Sequence, residues 1–511
     1  MIRIADTENG KVKGLPAADP RITVFKGIPF AAPPVGANRW RAPQPCENWD
    51  GVREAYEFAP ISIQDTPGIG DDIYVREWHV DSKIPMDEDC LYLNVWTGAD
   101  SIEEKRPVLV WIFGGAFQWG YPAEMEFDGE RLARRGIVVV TLNYRLNVFG
   151  FLTHPDLTEK QPEEPANFGN LDQQAGLKWV IRNIAKFGGD PENITLGGQS
   201  AGGGSVLSQM TCMKNEGLFQ KAIIESGVIR SPYVDNPLLV PQKLKEAQKE
   251  GINFLEYLGV KTIEEARGLD ALVIRDQYAE YVKENKRMTP VIDGVFMMED
   301  SMKLFMSGKH LNIPIMTGNT TDEFPDSITA QTDEEFKNKV KEYFGNKADT
   351  FLQFKEAWKK TGPDQYATIN GLECALKCML LQNEKMTNHS DCFYYRFNAD
   401  IPGRDHPGTF HSVDLWFFFE TLAKCIRPFR GEHYDLSRMM CNYWAEFIKK
   451  GNPNGNDADG LAMPQWQPYT AKNPCEMNFS TTGPKAEMED KSEFMKFLIK
   501  KKEQDLKPGA L

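Results

Sequence analysis

Two stretches of the chain, 107–113 (Pro-Val-Leu-Val-Trp-Ile-Phe) and 137–142 (Ile-Val-Val-Val-Thr-Leu), are apolar without polar alternation. A strand with one wet face alternates; runs like these are covered on both faces, as in a parallel or mixed sheet between helix layers. Around them the pattern changes period. Asn170 reads as the N-cap of a helix in which Leu177, Val180, Ile181 and Ile184 share one face, and Gly188-Gly189 reads as its stop. Strand patterns recur at 193–197, 221–224, 313–317 and 392–397, the last strong one. Strands alternating with helices predict a doubly wound α/β sheet. Two segments, about 228–312 and 326–390, interrupt the alternation. In the second, Thr332 and Glu335 read as a capping box ahead of Phe336, Val340, Tyr343 and Phe344. Each segment returns to a core strand, so they read as insertions in one domain spanning 1–511. At the N-terminus, Asn9-Gly10 reads as a hairpin turn into Lys11-Val12-Lys13.

Composition excludes several classes of partner. The 511 residues carry 59 basic and 73 acidic side chains, a net charge of −14, which repels phosphate backbones and anionic headgroups. No apolar run approaches the ~18 residues of a membrane span. Neither nucleic acid nor membrane is expected as a partner. The start shows no basic segment followed by an apolar one, so no secretion signal is read. Nine cysteines, an odd and unpatterned set without a CxxC pair, fit a reducing cytoplasm. Cys374 and Cys378 are one helical turn apart but lack a His/Cys cluster nearby; no metal is expected, and no cofactor. Oligomeric state is not readable.

Chemistry enters at Gly198-Gln199-Ser200-Ala201-Gly202, a G-x-S-x-G sequence between the 194–197 strand and a helix-compatible stretch. In that context the glycines permit a turn too sharp for flanking Cβ atoms, and the serine stands exposed at its apex. The helix that follows favours negative charge at its start. Phe113-Gly114-Gly115-Ala116-Phe117, directly after a buried strand, offers backbone N–H groups with almost no side-chain bulk. Gly115 and Ala116, with the Ala201 N–H, would form a three-donor oxyanion hole, one such donor being worth ~3 kcal/mol in a transition state.

The chain resembles the type-B carboxylesterases, the cholinesterase-like carboxylesterase/lipase branch of the α/β hydrolases. The resemblance rests on Gly27-Ile28-Pro29-Phe30-Ala31-Ala32-Pro33-Pro34-Val35-Gly36, Glu88-Asp89-Cys90-Leu91-Tyr92-Leu93-Asn94-Val95-Trp96, Asn143-Tyr144-Arg145, Gly169-Asn170-Leu171-Asp172-Gln173 and Phe187-Gly188-Gly189-Asp190-Pro191, with the elbow in family order. It implies an α/β-hydrolase fold: a central, mostly parallel twisted sheet flanked by helices, with large helical insertions over the active site. It also implies a serine esterase with Ser200 as nucleophile. The family acid falls at Glu323 in Gly318-Asn319-Thr320-Thr321-Asp322-Glu323, with Asp322 the alternative. Phe324 follows where the family has glycine. The base falls at His411 in Gly408-Thr409-Phe410-His411, with His406 the alternative; His79, His154, His310, His389 and His433 are left as structural or surface residues. Ser226, in Glu225-Ser226-Gly227, matches a family serine beside the acid.

Departures narrow the substrate. Gln199 stands where relatives commonly carry a carboxylate, and Val80 falls where the cholinesterases carry a cation-binding tryptophan, with Trp78 two residues out of register. Weak selection for cationic substrates follows. Ser62 stands at the position that would pair with Cys90 in the family's first disulfide, while Arg39 with Glu88 and Arg145 with Asp172 match ion pairs of the family. Phe117, Trp119, Trp416 and Phe417 flank the oxyanion and base loops, as do Phe418 and Phe419; one or two are expected to line a pocket for apolar or aromatic ester groups. The expected reaction is hydrolysis of small uncharged esters through an acyl-enzyme. The same triad would also serve a lipase, amidase, thioesterase or carbamate hydrolase, and the remote alternative is a non-catalytic binding protein.

Overall fold

The computed structural model describes residues 1–228, 240–324, 326–354, 365–369, 371–457, 460–489 and 492–506. Stretches 229–239 and 355–364, inside the two expected insertions, lie outside the described residues, as does the C-terminal 507–511.

One eleven-stranded sheet organises the chain. In chain order its strands are β1 (Leu15–Pro16), β2 (Thr23–Pro29), β3 (Tyr92–Thr97), β4 (Arg106–Ile112), β5 (Val138–Leu142), β6 (Gly189–Gln199), β7 (Lys221–Glu225), β8 (Ile315–Thr320), β9 (Cys392–Asn398), β10 (Cys475–Ser480) and β11 (Gly483–Met488). In space they run β1-β2-β3-β5-β4-β6-β7-β8-β9-β10-β11. Every pairing from β5-β4 through β9-β10 is parallel; β1-β2, β2-β3, β3-β5 and β10-β11 are antiparallel. This is the α/β-hydrolase fold, a mostly parallel sheet flanked by helices. The two apolar runs form β4 and β5, side by side and buried on both faces. The β10-β11 hairpin extends the sheet past β9, where the sequence pattern shows no further strong strand.

The helices that matter for the site are α1 (Phe168–Asn183), α2 (Ala201–Thr211), α3 (Ser301–Met306), α4 (Leu415–Phe418) and α5 (Gly431–Lys450). α2 packs on β6 and β7, and α5 crosses β4, β6 and β10-β11. Two boundaries differ from expectation. α1 is capped at Asn167, not Asn170: Asn167 sits in the left-handed region (φ 59°) while its amide bonds the Val291 N–H and carbonyl and Asp293. That long-range tie starts the helix three residues early, and Gly188 (φ 78°) ends it after a 3₁₀ turn. The N-terminal hairpin pairs Ile4–Thr7 with Gly10–Lys13, so it turns at Glu8-Asn9. Gly10 is required for another reason, since a Cβ there would come within 2.5 Å of the Trp49 indole.

Of the expected capping box, Thr332 accepts from the Glu335 N–H, but the Glu335 carboxylate bonds the Gln331 N–H instead of closing the box. Phe336, Val340 and Phe344 are buried, as their spacing predicts.

Both ion pairs are present. Arg39 grips Glu88 through two 2.6 Å bonds, and Arg145 holds Asp172 at 2.7 and 2.8 Å, with the second pair almost fully buried. Ser62 lies against the Cys90 thiol, and all nine cysteines are free. Among the described residues no helix is long and apolar enough to cross a membrane, and no His/Cys/Asp/Glu group is arranged to hold a metal.

Candidate active site

Ser200 lies between the end of β6 and the start of α2 with φ 55° and ψ −126°. That conformation is costly for a residue with a Cβ, on the order of 1–3 kcal/mol, and persists only where the surroundings enforce it. Enforcement is visible in the neighbours. A Cβ on Gly202 would come within 2.1 Å of the Ile112 carbonyl oxygen, and one on Gly198 within 2.5 Å of Gly202. The Ser200 N–H donates to the Glu225 carbonyl at 2.9 Å, and its own carbonyl accepts from Gly204. The serine is thus held at the apex, at the carboxyl edge of the parallel strands where β6 ends.

The loop after β4 lies against this turn. Gly115, Ala116 and Phe117 all have positive φ (102°, 53° and 63°), and a Cβ on Gly115 would strike the Trp119 carbonyl at 2.1 Å. Its shape is fixed by bonds from the Gln118 and Trp119 N–H groups to the Gly115 carbonyl and from Asn147 to the Phe117 carbonyl. The Gly115 and Ala116 N–H groups bond no other described residue. Ala201 opens α2, so its N–H has no carbonyl one turn earlier in the helix.

The loop after β8 carries Glu323, and the loop after β9 carries His411. Glu323 Oε2 is 2.5 Å from His411 Nδ1, both side chains being buried. The other carboxylate oxygen accepts from Ser226 Oγ at 2.5 Å and from Thr320 Oγ1 and N–H at 2.9 and 3.2 Å. Burial alone would push this carboxyl up, but the His411 charge and these donors hold it below its ordinary value. Asp322 does not face the imidazole: it accepts from the Thr409 N–H and hydroxyl and so stitches the two loops together. His406 is exposed. His411 Nε2 is met at 3.2 Å by the side-chain amide of Gln199; with Nδ1–H directed at Glu323, the Gln199 N–H is the donor.

Thr320, whose hydroxyl and N–H both bond Glu323, was not read from the sequence as a partner of the acid. Nor was the buried acid pair behind the site. Trp444 donates to Glu225 at 2.6 Å and Tyr395 to Asp414 at 2.8 Å. Burial pushes both carboxyls up, Asp414 to about 6, helped by the Glu323 charge.

A recess opens beside Ser200 and Ala201, walled by Phe117, Gly204, Leu207, Met297 and Met302, with hydroxyls of Ser208, Thr289 and Ser301. Ser200, Ala201, Gly204, Leu207 and Ser208 reach the recess at helical spacing around the start of α2, and Met297 and Met302 arrive from a distant segment; neither wall was read from the sequence as a pocket lining. Of the expected aromatic wall only Phe117 lines the recess. Trp416 and Phe417 are fully buried core residues. The reason is that α4 is covered on every side: Trp416 packs on Trp78, Phe417 on Phe397 and Phe429, and Phe418 and Phe419 on Trp111. Trp119 turns elsewhere, donating to Asp65 at 2.8 Å beneath Arg287. Trp78 is buried against Phe410 and Trp416, while Val80 is exposed.

Comparison with known proteins gives a consistent picture. A family model described as the carboxylesterase family matches residues 2–498. The chain is similar to a cholinesterase of Mus musculus, 30% identical over 508 residues, covering 90% of this chain and 81% of that protein. It is similar to a para-nitrobenzyl esterase of Bacillus subtilis (strain 168), 33% identical over 475 residues and covering 88% and 91% respectively. A solved PNB esterase structure superposes with a TM-score of 0.78 at 28% identity, over 98% of this chain and 100% of that one.

Proposed function

The chain belongs to the carboxylesterase family and is a carboxylic ester hydrolase, and from that premise we propose that Ser200, His411 and Glu323 are its catalytic triad, acting on small uncharged esters. The observation that carries this reading is the buried 2.5 Å contact of Glu323 with His411 Nδ1, on loops that flank the strained serine. In it, Glu323 fixes the tautomer that leaves Nε2 free to take a proton, and stabilises the imidazolium that results. Ser200 Oγ attacks the ester carbonyl while His411 Nε2 takes its proton. The oxyanion forms against the Gly115, Ala116 and Ala201 N–H groups. The imidazolium then protonates the leaving alcohol as its C–O bond breaks. Water, deprotonated by the same nitrogen, releases the acid from Ser200. Gln199 holds Nε2 in the resting enzyme and yields it to Ser200 when substrate arrives; Ser226 and Thr320 keep Glu323 ionised.

The recess takes the acyl group. It contains Ser200 and Ala201 but none of the groups around His411, and no charged side chain lines it among the described residues. Two methionines in its wall adapt to differing chain shapes. With a neutral Gln199, a buried Trp78 and no charged side chain in the recess among the described residues, acetylcholine is expected to be no better a substrate than a comparable neutral acetate ester. We further propose that the chain works as one domain, its 240–312 segment supplying the methionine wall, in a reducing cytoplasm where its free cysteines persist.

The test is a panel of p-nitrophenyl esters of rising acyl length, run with the wild type and with Met302→Trp. Turnover is expected to favour short and medium chains, and the tryptophan is expected to shift the optimum toward acetate. An optimum at long, insoluble chains assigns a lipase instead, and an unmoved optimum removes the recess from the acyl site.

A further inference from the structure

Phe324 follows the acid directly and is half exposed (51%). Its ring centre lies 4.6 Å from that of His411, inclined by 40°, inside the range of a favourable aromatic pair. The two imidazole nitrogens are already engaged, by Glu323 and by Gln199, so the contact is ring against ring. The ring is also held in place from below. Glu323 is anchored through both oxygens, and Asp322 is bonded to Thr409 on the histidine loop. One side of Phe324 therefore lies against the imidazole, while about half of the residue is exposed to solvent.

The chemistry says what passes there. In ester cleavage the alcohol leaves with a proton from His411 Nε2, so that half of the substrate has to lie along the imidazole. The recess beside Ser200 includes neither His411 nor Phe324, which separates the two halves of the ester. We propose that Phe324 is a specificity-determining residue for the alcohol half, selecting esters of planar apolar alcohols such as benzyl alcohols and phenols. The proposal rests on the assignment of Ser200 and His411 above. No new bond is involved: the same C–O bond breaks and the same proton moves, with the departing ring held against Phe324.

The experiment measures kcat/KM for benzyl acetate and ethyl acetate with the wild type, Phe324→Gly and Phe324→Tyr. Both esters give the same acyl-enzyme, so their ratio isolates the alcohol. The benzyl-to-ethyl ratio is expected to fall about three- to tenfold in Phe324→Gly and to be retained in Phe324→Tyr. A ratio that stays within twofold in the glycine variant, including an equal loss for both esters, overturns the proposal, because Phe324 then only supports His411. A ratio lost equally in the tyrosine variant also overturns it. Failure of the triad assignment reads differently: Ser200→Ala would still turn over both esters, whatever the ratio.

Discussion

Gln199 shows how much a single neutral residue decides. Its amide meets His411 Nε2 at 3.2 Å, so Gln199→Glu would set a carboxylate against the nitrogen that has to lose its proton. An adjacent negative charge favours imidazolium. The acid limb of the kcat/KM profile is therefore expected to move up by about 1–2 pH units, with activity lowered at neutral pH and regained at alkaline pH; an unmoved limb would separate Gln199 from the base. Ser226 acts on the opposite partner. Because Glu323 is held below its ordinary value by burial-opposing contacts to His411, Ser226 and Thr320, its stabilising contribution is complete above the ordinary carboxylate range and disappears as pH falls through the lowered value. Ser226→Ala removes a donor to a buried charge. It is expected to cost about 1–3 kcal/mol at neutral pH, to lower kcat, and to shift acid unfolding to higher pH, all readable by thermal melts across pH. At this scale the sequence was informative wherever a motif fixes backbone shape or the family resemblance carries a position. Gly198, Gly202 and Ser200 follow from spacing, whereas Glu323 and His411 needed the resemblance. The aromatic residues were not legible: an unbroken apolar run such as 415–419 says that it is buried, not toward what.

Elements position these residues, and their supports are testable. Asp414 sits in the turn after His411, its carboxyl pushed up to about 6, mainly by burial. A carboxyl raised on folding favours the native state while protonated, and that advantage is lost as pH climbs from the ordinary carboxylate range through about 6. Asp414→Asn keeps an acceptor for Tyr395 and removes the charge. It is expected to raise stability by about 2–3 kcal/mol at pH 8, by about half of that at pH 5 and by little at pH 3, as melting temperatures at the three pH values will show; an equal gain at all three would contradict this reading. Ser62 touches the Cys90 thiol at the base of the loop that carries Tyr74, whose hydroxyl donates to the His411 carbonyl at 3.2 Å. Ser62→Cys is therefore expected to form a disulfide on oxidation and to stabilise by up to about 3 kcal/mol, with free-thiol titration dropping accordingly. Persistent thiols would mean that the loop keeps the two side chains apart. Element boundaries were less legible than elements. Asn167 begins α1 through bonds to residues more than a hundred positions away, and Gly10 answers to Trp49 instead of to its own turn; neither tie has a local signature.

Across the whole molecule, Ser200, Glu323 and His411 stand on loops after β6, β8 and β9, which are near neighbours in the sheet though far apart in the chain. The long segments between them return to successive core strands, and one brings Met297 and Met302 to the recess. The net charge of −14 belongs to the surface at large and not to the recess, where no charged side chain lines the wall. What the account stands on is a single covalent event at Ser200. Intact-mass and peptide mapping after reaction with a fluorophosphonate ester tests it directly. One adduct on the peptide containing Ser200, absent in Ser200→Ala together with p-nitrophenyl acetate turnover, is the predicted result. An adduct on another residue, or a Ser200→Ala protein that still hydrolyses the ester at the wild-type rate, would contradict it.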